Sequence, residues 1–143
     1  MTLARVAVVA LSALAASPAL GQDAADGIKG IWAVQSLSFD GVKVPDDPTA
    51  GPQLTAFDGA QYVQRKGQTI TEEGSYEIDP SKSPRTIDFL IKKGGDAGKR
   101  QLGIYEVEGN TLRVCMAEPG SKKRPRTFEA PKTVVVVNAR FRP

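Results

Sequence analysis

The chain contains no histidine and a single cysteine, Cys115. Without histidine it lacks the commonest general base and the commonest side-chain metal ligand. Ser-His-Asp and Cys-His schemes of nucleophilic catalysis cannot be assembled within it. A lone cysteine forms no internal disulfide, so the folded state must rest on its core. Aromatic residues make up only 6% of the chain, and the formal net charge is only +3. That excess is too small to argue for a nucleic acid partner without a focused patch and an aromatic platform. No segment carries a sustained 3.6-residue apolar stripe, so little or no helix is expected in the mature chain.

What is present points to a globular fold rich in turns. Of 143 residues, 14 are glycine and 10 proline, the residues that serve tight turns. An apolar fraction of 41% with 24% charged residues is ordinary for a folded domain, and the length suits one domain.

Residues 1–21 read as a secretory signal peptide, cleaved in the mature protein. Arg5 supplies the positive n-region, Val6–Ala16 the apolar h-region, and Ala19-Leu20-Gly21 a small-x-small cleavage site. The apolar run is too short to span a bilayer comfortably. Export to the periplasm or outside the cell is therefore expected, with no stable membrane insertion after cleavage. Residues 22–29 form a polar lead-in, and residues 30–143 the folded domain.

From residue 30 the pattern has period two, with turn signals every eight to twelve residues, the mark of a β-sandwich or barrel. The strands predicted are Gly30–Phe39, Gln53–Phe57, Ala60–Lys66, Gln68–Ile78, Arg85–Lys92, Arg100–Val107, Thr111–Ala117 and Thr133–Phe141. Asp40-Gly41, Asp58-Gly59 and Gly109-Asn110 are turn signals between them. Val42–Pro52 is expected as a loop or lid, and Glu118–Pro131 as a basic loop with a short paired piece at Thr127-Phe128. Gly74 suggests a bulge or bend. Eight sequential strands joined mostly by tight turns make an all-β, antiparallel, up-and-down meander. Closing it into a barrel removes exposed edges that otherwise invite aggregation.

Gly30-Ile31-Trp32 is a Gly-x-Trp at the start of the first strand, and Arg140 lies at the end of the last. This pairing resembles lipocalins, in which such a tryptophan closes the barrel floor beneath an arginine from the final strand. A guanidinium on an indole face gains about 0.5–2 kcal/mol. The chain more closely resembles an uncharacterised, planctomycete-type lipocalin-like domain family. Matching pieces are Asp40-Gly41 with Val44-Pro45, Gly74-Ser75-Tyr76 before Asp79-Pro80, and Pro84-Arg85-Thr86-Ile87-Asp88. They continue with Gly103-Ile104-Tyr105-Glu106, Asn110-Thr111-Leu112-Arg113-Val114-Cys115 and Arg124-Pro125-Arg126-Thr127-Phe128. The resemblance implies a lipocalin-like (calycin-like) barrel and an exported setting, with Gly30, Trp32 and Arg140 as closure residues. It lends no activity, and the Thr-Asp-Tyr element of true lipocalins is absent.

An eight-stranded barrel is just wide enough to be filled by side chains or to hold one small ligand. Inward candidates are Tyr62, Ile70, Tyr76, Ile87, Phe89, Ile91, Ile104, Leu112, Val114 and Met116. Of these, Tyr62, Ile70, Tyr76, Phe89, Ile104, Leu112, Val114 and Met116 are the candidate ligand contacts. Lys122, Lys123, Arg124 and Arg126 form a basic run suited to an anion or an acidic partner. Alternatively Arg124 pins its loop by pairing with a carboxylate. Cys115, between Val114 and Met116, reads as a buried, inert thiol. Glu72 and Glu73, adjacent on a strand, point to opposite faces and cannot act as a glycosidase pair. Asp46-Asp47 makes a poor calcium site. Gly94–Lys99 lacks the spacing and the helix of a phosphate loop.

These readings favour a monomeric, non-enzymatic barrel with no cofactor or metal, binding a small apolar ligand inside. The alternative is a protein-interaction module, such as a periplasmic protease-inhibitor-like barrel. Its core would be filled by side chains, and it would recognise an envelope protein through its loops.

Overall fold

A computed structural model describes residues 27–142. The expected signal peptide, 1–21, lies outside the described residues. Among the described residues nine strands follow one another: β1 Gly30–Phe39, β2 Val42–Lys43, β3 Gln53–Phe57, β4 Gln61–Lys66, β5 Thr69–Asp79, β6 Arg85–Lys93, β7 Arg100–Glu108, β8 Thr111–Met116 and β9 Val134–Arg140. The eight long strands start and stop within one residue of the sequence expectation. Val42–Pro52 is mostly irregular, holding the two-residue β2 and one 3-10 turn at Pro48–Ala50. Thr127 and Phe128 lie in a bend and a turn, so the paired piece expected there is absent. Phe128 is held through its ring instead.

Every strand pairs antiparallel with its neighbour, in the order β2-β1-β3-β4-β5-β6-β7-β8-β9. The sheet then closes on itself, since β9 also pairs with β1 from Trp32↔Arg140 to Phe39↔Val134. The result is an eight-stranded, up-and-down, lipocalin-like β-barrel. The valine run Val134–Val137 sits in the closing strand, between β1 and β8. Val134 and Val136 pack against the core. Their neighbours point the other way, as pleating requires.

The inner face carries Trp32, Phe57, Tyr62, Tyr76, Ile87, Phe89, Tyr105, Leu112, Val114 and Met116. Gly74 lies opposite Ile91 beside a register shift in the β5–β6 ladder. A Cβ built there would fall 2.1 Å from the Leu90 carbonyl oxygen. Only glycine admits that approach of the two backbones, as the bulge signal anticipated.

Two inward assignments require correction. Ile70 is 50% exposed. The β4–β5 ladder pairs Gln64 with Glu72 but Arg65 with Ile70, leaving Thr71 as an extra residue. That bulge reverses the phase, and Ile70 leaves the barrel. Ile104 is buried, at 1% exposure, but it lies between the core residue Tyr105 and Gly103, on the outer face of β7. A loop covers it there.

Candidate functional site

One end of the barrel is closed by the indole. Trp32 is 0% exposed, and its Nε1 donates to the Ile28 carbonyl at 2.8 Å. The Arg140 guanidinium lies 4.3 Å from the indole ring. Its Nη1 donates to the Lys29 carbonyl at 3.1 Å and its Nη2 to the Gly27 carbonyl at 3.3 Å. Gly30, at φ +126°, leaves room for that guanidinium, because a Cβ there would meet Nη1 at 3.1 Å. Gly30, Trp32 and Arg140 thus form the closure that the Gly-x-Trp and the terminal arginine suggested.

Above this floor the rings interlock. Phe57 meets Tyr76 edge-on at 4.9 Å between centroids, and Tyr62 meets Phe89 edge-on at 5.0 Å. Such contacts contribute about 0.5–1.5 kcal/mol each beyond the area buried. Tyr62 donates its hydroxyl to Glu72 Oε1 at 2.8 Å. Burial pushes the Tyr62 phenol well above its ordinary range, and the bonded Glu72 carboxylate adds to the shift. Burial also raises the Glu72 carboxyl, partly offset by the Tyr62 bond. The Tyr105 phenol is raised as well, chiefly by burial.

Leu112, Val114 and Met116 complete the filling. The space left between Thr55, Gln64, Phe89, Val136 and Asn138 is about 30 Å³. Small-molecule sites need roughly 300–1,000 Å³. Six of the eight candidate ligand contacts, Tyr62, Tyr76, Phe89, Leu112, Val114 and Met116, therefore face inward but pack on one another. Ile70 and Ile104 do not face inward at all.

The larger space is outside the wall. After β8 the chain runs from Ala117 to Thr133 as a strap over the outer faces of β6, β7 and β8. Arg124 anchors it. Its Nη1 donates to Asp88 Oδ1 at 2.6 Å, to the Gly103 carbonyl at 2.8 Å and to the Ile87 carbonyl at 3.4 Å. Asp88 also receives Arg100 at 3.1 Å. A second anchor is Phe128, whose ring lies 4.0 Å under the Arg113 guanidinium. Arg113 is in turn paired with Glu106 at 2.6 Å. Cys115 is sealed beneath, with Sγ 3.6 Å from the Thr127 carbonyl. Burial raises its thiol, so little thiolate is available.

Between the strap and the turn before β6 opens a cleft of about 1020 Å³. Its floor is apolar: Ile104, Ala117, and the rings of Pro84, Pro125 and Pro131. Its rim carries Lys82, Lys122, Lys123, Arg126 and Lys132, all exposed. Among the described residues none of these five is in an ion pair. Glu118 is the one acid among the lining residues.

The structure brings Lys122, Lys123, Arg124 and Arg126 to one cleft and divides their roles. Arg124 is a pin, as its alternative reading held, and the other three are free to meet a ligand. Lys82 and Lys132 were missed, because nothing in the sequence links them to residues 122–126 until the strap is folded back.

Comparisons with known protein families, with curated proteins and with solved structures find no match. Among the described residues no helix is long and apolar enough to cross a membrane.

Proposed function

We propose that this chain is an exported, non-enzymatic binding barrel that recognises an anionic partner through the cleft beside its strap. The observation carrying this reading is a cleft lined by apolar residues and by five cations outside any ion pair, on the outside of a barrel whose inward rings pack on one another. The interlocked rings inside the barrel and the small space beside them support the interaction-module alternative, with the barrel as scaffold. Support for export, to the periplasm or beyond the cell, is the signal-like pattern of residues 1–21 and the resemblance to an exported lipocalin-like family. The missing histidine supports a non-enzymatic role.

The test is calorimetric titration of the mature protein with an anionic ligand series, comparing wild type with Lys122→Ala/Lys123→Ala/Arg126→Ala. Exposed charge contacts contribute about 0.2–1 kcal/mol each. Removing three should weaken binding by roughly 3- to 150-fold, with a steep loss in salt. An unchanged affinity in the triple variant, together with an apolar molecule retained in the barrel by native mass spectrometry, would reject the proposal.

A further inference from the structure

The cleft has a shape as well as a charge, and the shape narrows the class of occupant; this step rests on the binding role proposed for the cleft. Its floor runs across the strands. Thr86 on β6 pairs with Ile104 on β7, and the lining continues to Ala117 just after β8 and Thr133 just before β9. Three inter-strand steps make a trough about 14 Å long, the reach of about four extended residues. The unpaired cations come from three separate segments. Lys82 stands on the turn before β6, Lys132 at the approach to β9, and Lys122, Lys123 and Arg126 on the strap between. Their origin in three segments spreads the positive charge over the cleft lining. A compact anion such as inorganic phosphate would meet only part of that rim, whereas charges spaced along a chain would meet all of it.

The strands beneath are paired on both sides, so no free edge can accept an added strand. Recognition falls to side chains, and the floor of Ile104, Ala117 and proline rings suits an apolar one. Single-stranded nucleic acid needs exposed rings for stacking, and Phe128 is already covered by Arg113 at 4.0 Å.

We infer that the cleft takes an extended acidic peptide segment of a partner protein, its carboxylates on Lys82, Lys122, Lys123, Arg126 and Lys132 and one apolar side chain over Ile104. The experiment is fluorescence anisotropy on the full mature chain. The probe is a labelled pentapeptide, Glu-Glu-Leu-Glu-Glu, set against its all-Gln analogue, its Ser-centred analogue, inorganic phosphate, oligothymidylate and anionic phosphatidylglycerol vesicles. The acidic peptide should bind at least tenfold more tightly than the all-Gln form and several-fold more tightly than the Ser-centred form. Lys122→Glu/Lys123→Glu should cost tenfold or more. Arg65→Glu/Lys43→Glu, an equal charge change away from the cleft, should cost less than twofold. Equal binding of the Glu and Gln peptides overturns the peptide assignment. So does tighter, cleft-dependent binding of phosphate, oligothymidylate or vesicles, although the cleft then stands as an anion site. Insensitivity of every probe to Lys122→Glu/Lys123→Glu overturns both.

Discussion

Replacing Arg124 by methionine should loosen the strap without unfolding the barrel. Methionine keeps most of the aliphatic stem and removes three hydrogen bonds, to Asp88, Gly103 and Ile87. A hydrogen bond to a charged group contributes about 1.5–3 kcal/mol when well buried. Here the two side chains keep 30% and 20% of their exposure, so water screens the pair. Asp88 also keeps Arg100 at 3.1 Å, so no carboxylate is orphaned. A loss of about 1–2 kcal/mol is expected. The Phe128–Arg113 contact still holds the far end of the strap, so the loss should appear as local opening. Cys115, 0% exposed beneath the strap, is a native reporter of it. Reaction with an aromatic disulfide reagent at fixed pH should accelerate about 5- to 30-fold if opening limits labelling. The urea midpoint should fall by no more than about 1 M. In a double-mutant cycle with Asp88→Asn, the two losses should be clearly non-additive. A labelling rate within twofold of wild type would show that Arg124 does not hold the strap.

Other substitutions test the barrel itself. Trp32→Ala should cost about 3–5 kcal/mol, as for a large core residue, read from denaturation followed by circular dichroism; an unchanged midpoint would remove Trp32 from the core. Gly74→Ala should destabilise by about 3 kcal/mol or more, because its methyl must displace the Leu90 carbonyl 2.1 Å away; a loss under about 0.5 kcal/mol would show that the strands part easily. Glu72→Gln should stabilise at neutral pH. The native Glu72 carboxyl is raised by burial, so its contribution is fully present below the ordinary carboxyl range and is lost as pH rises through the native value. The difference in midpoint between variant and wild type should therefore grow with pH across the acid range. Asp47, Asp58 and Asp79 are lowered by hydrogen bonds and act in the opposite direction, but they cancel in that difference.

The strands were legible because one face of each meets a core while the other meets water. Arg85–Lys93 shows this cleanly, with Ile87, Phe89 and Ile91 inside. Legibility failed where that contrast fails. On β7 the inner face carries Gln101 and Gly103 beside Tyr105, while the outer face carries Leu102 and Ile104. The outer pair looks like the core because a strap, not water, lies over part of that wall. On β5 a single inserted residue, Thr71, reversed the phase at Ile70. Interior volume was not legible, since it depends on how four rings from β3, β4, β5 and β6 interlock. The basic run was visible as composition. Its division into one pin and three free cations depends on Asp88, 36 residues away along the chain.

The seam between β1 and β9 also governs when this molecule can come into being. β9 supplies the whole partner edge of β8 and most of one edge of β1. Until Val134–Arg140 is in place, both strands show bare amide and carbonyl edges, which adhere to neighbouring chains. Contacts joining the opening of a chain to its finish are slow to form. A growing polypeptide of this sequence therefore stays vulnerable until β9 arrives, and a frayed β9 would favour clumping over a gentle loss of stability.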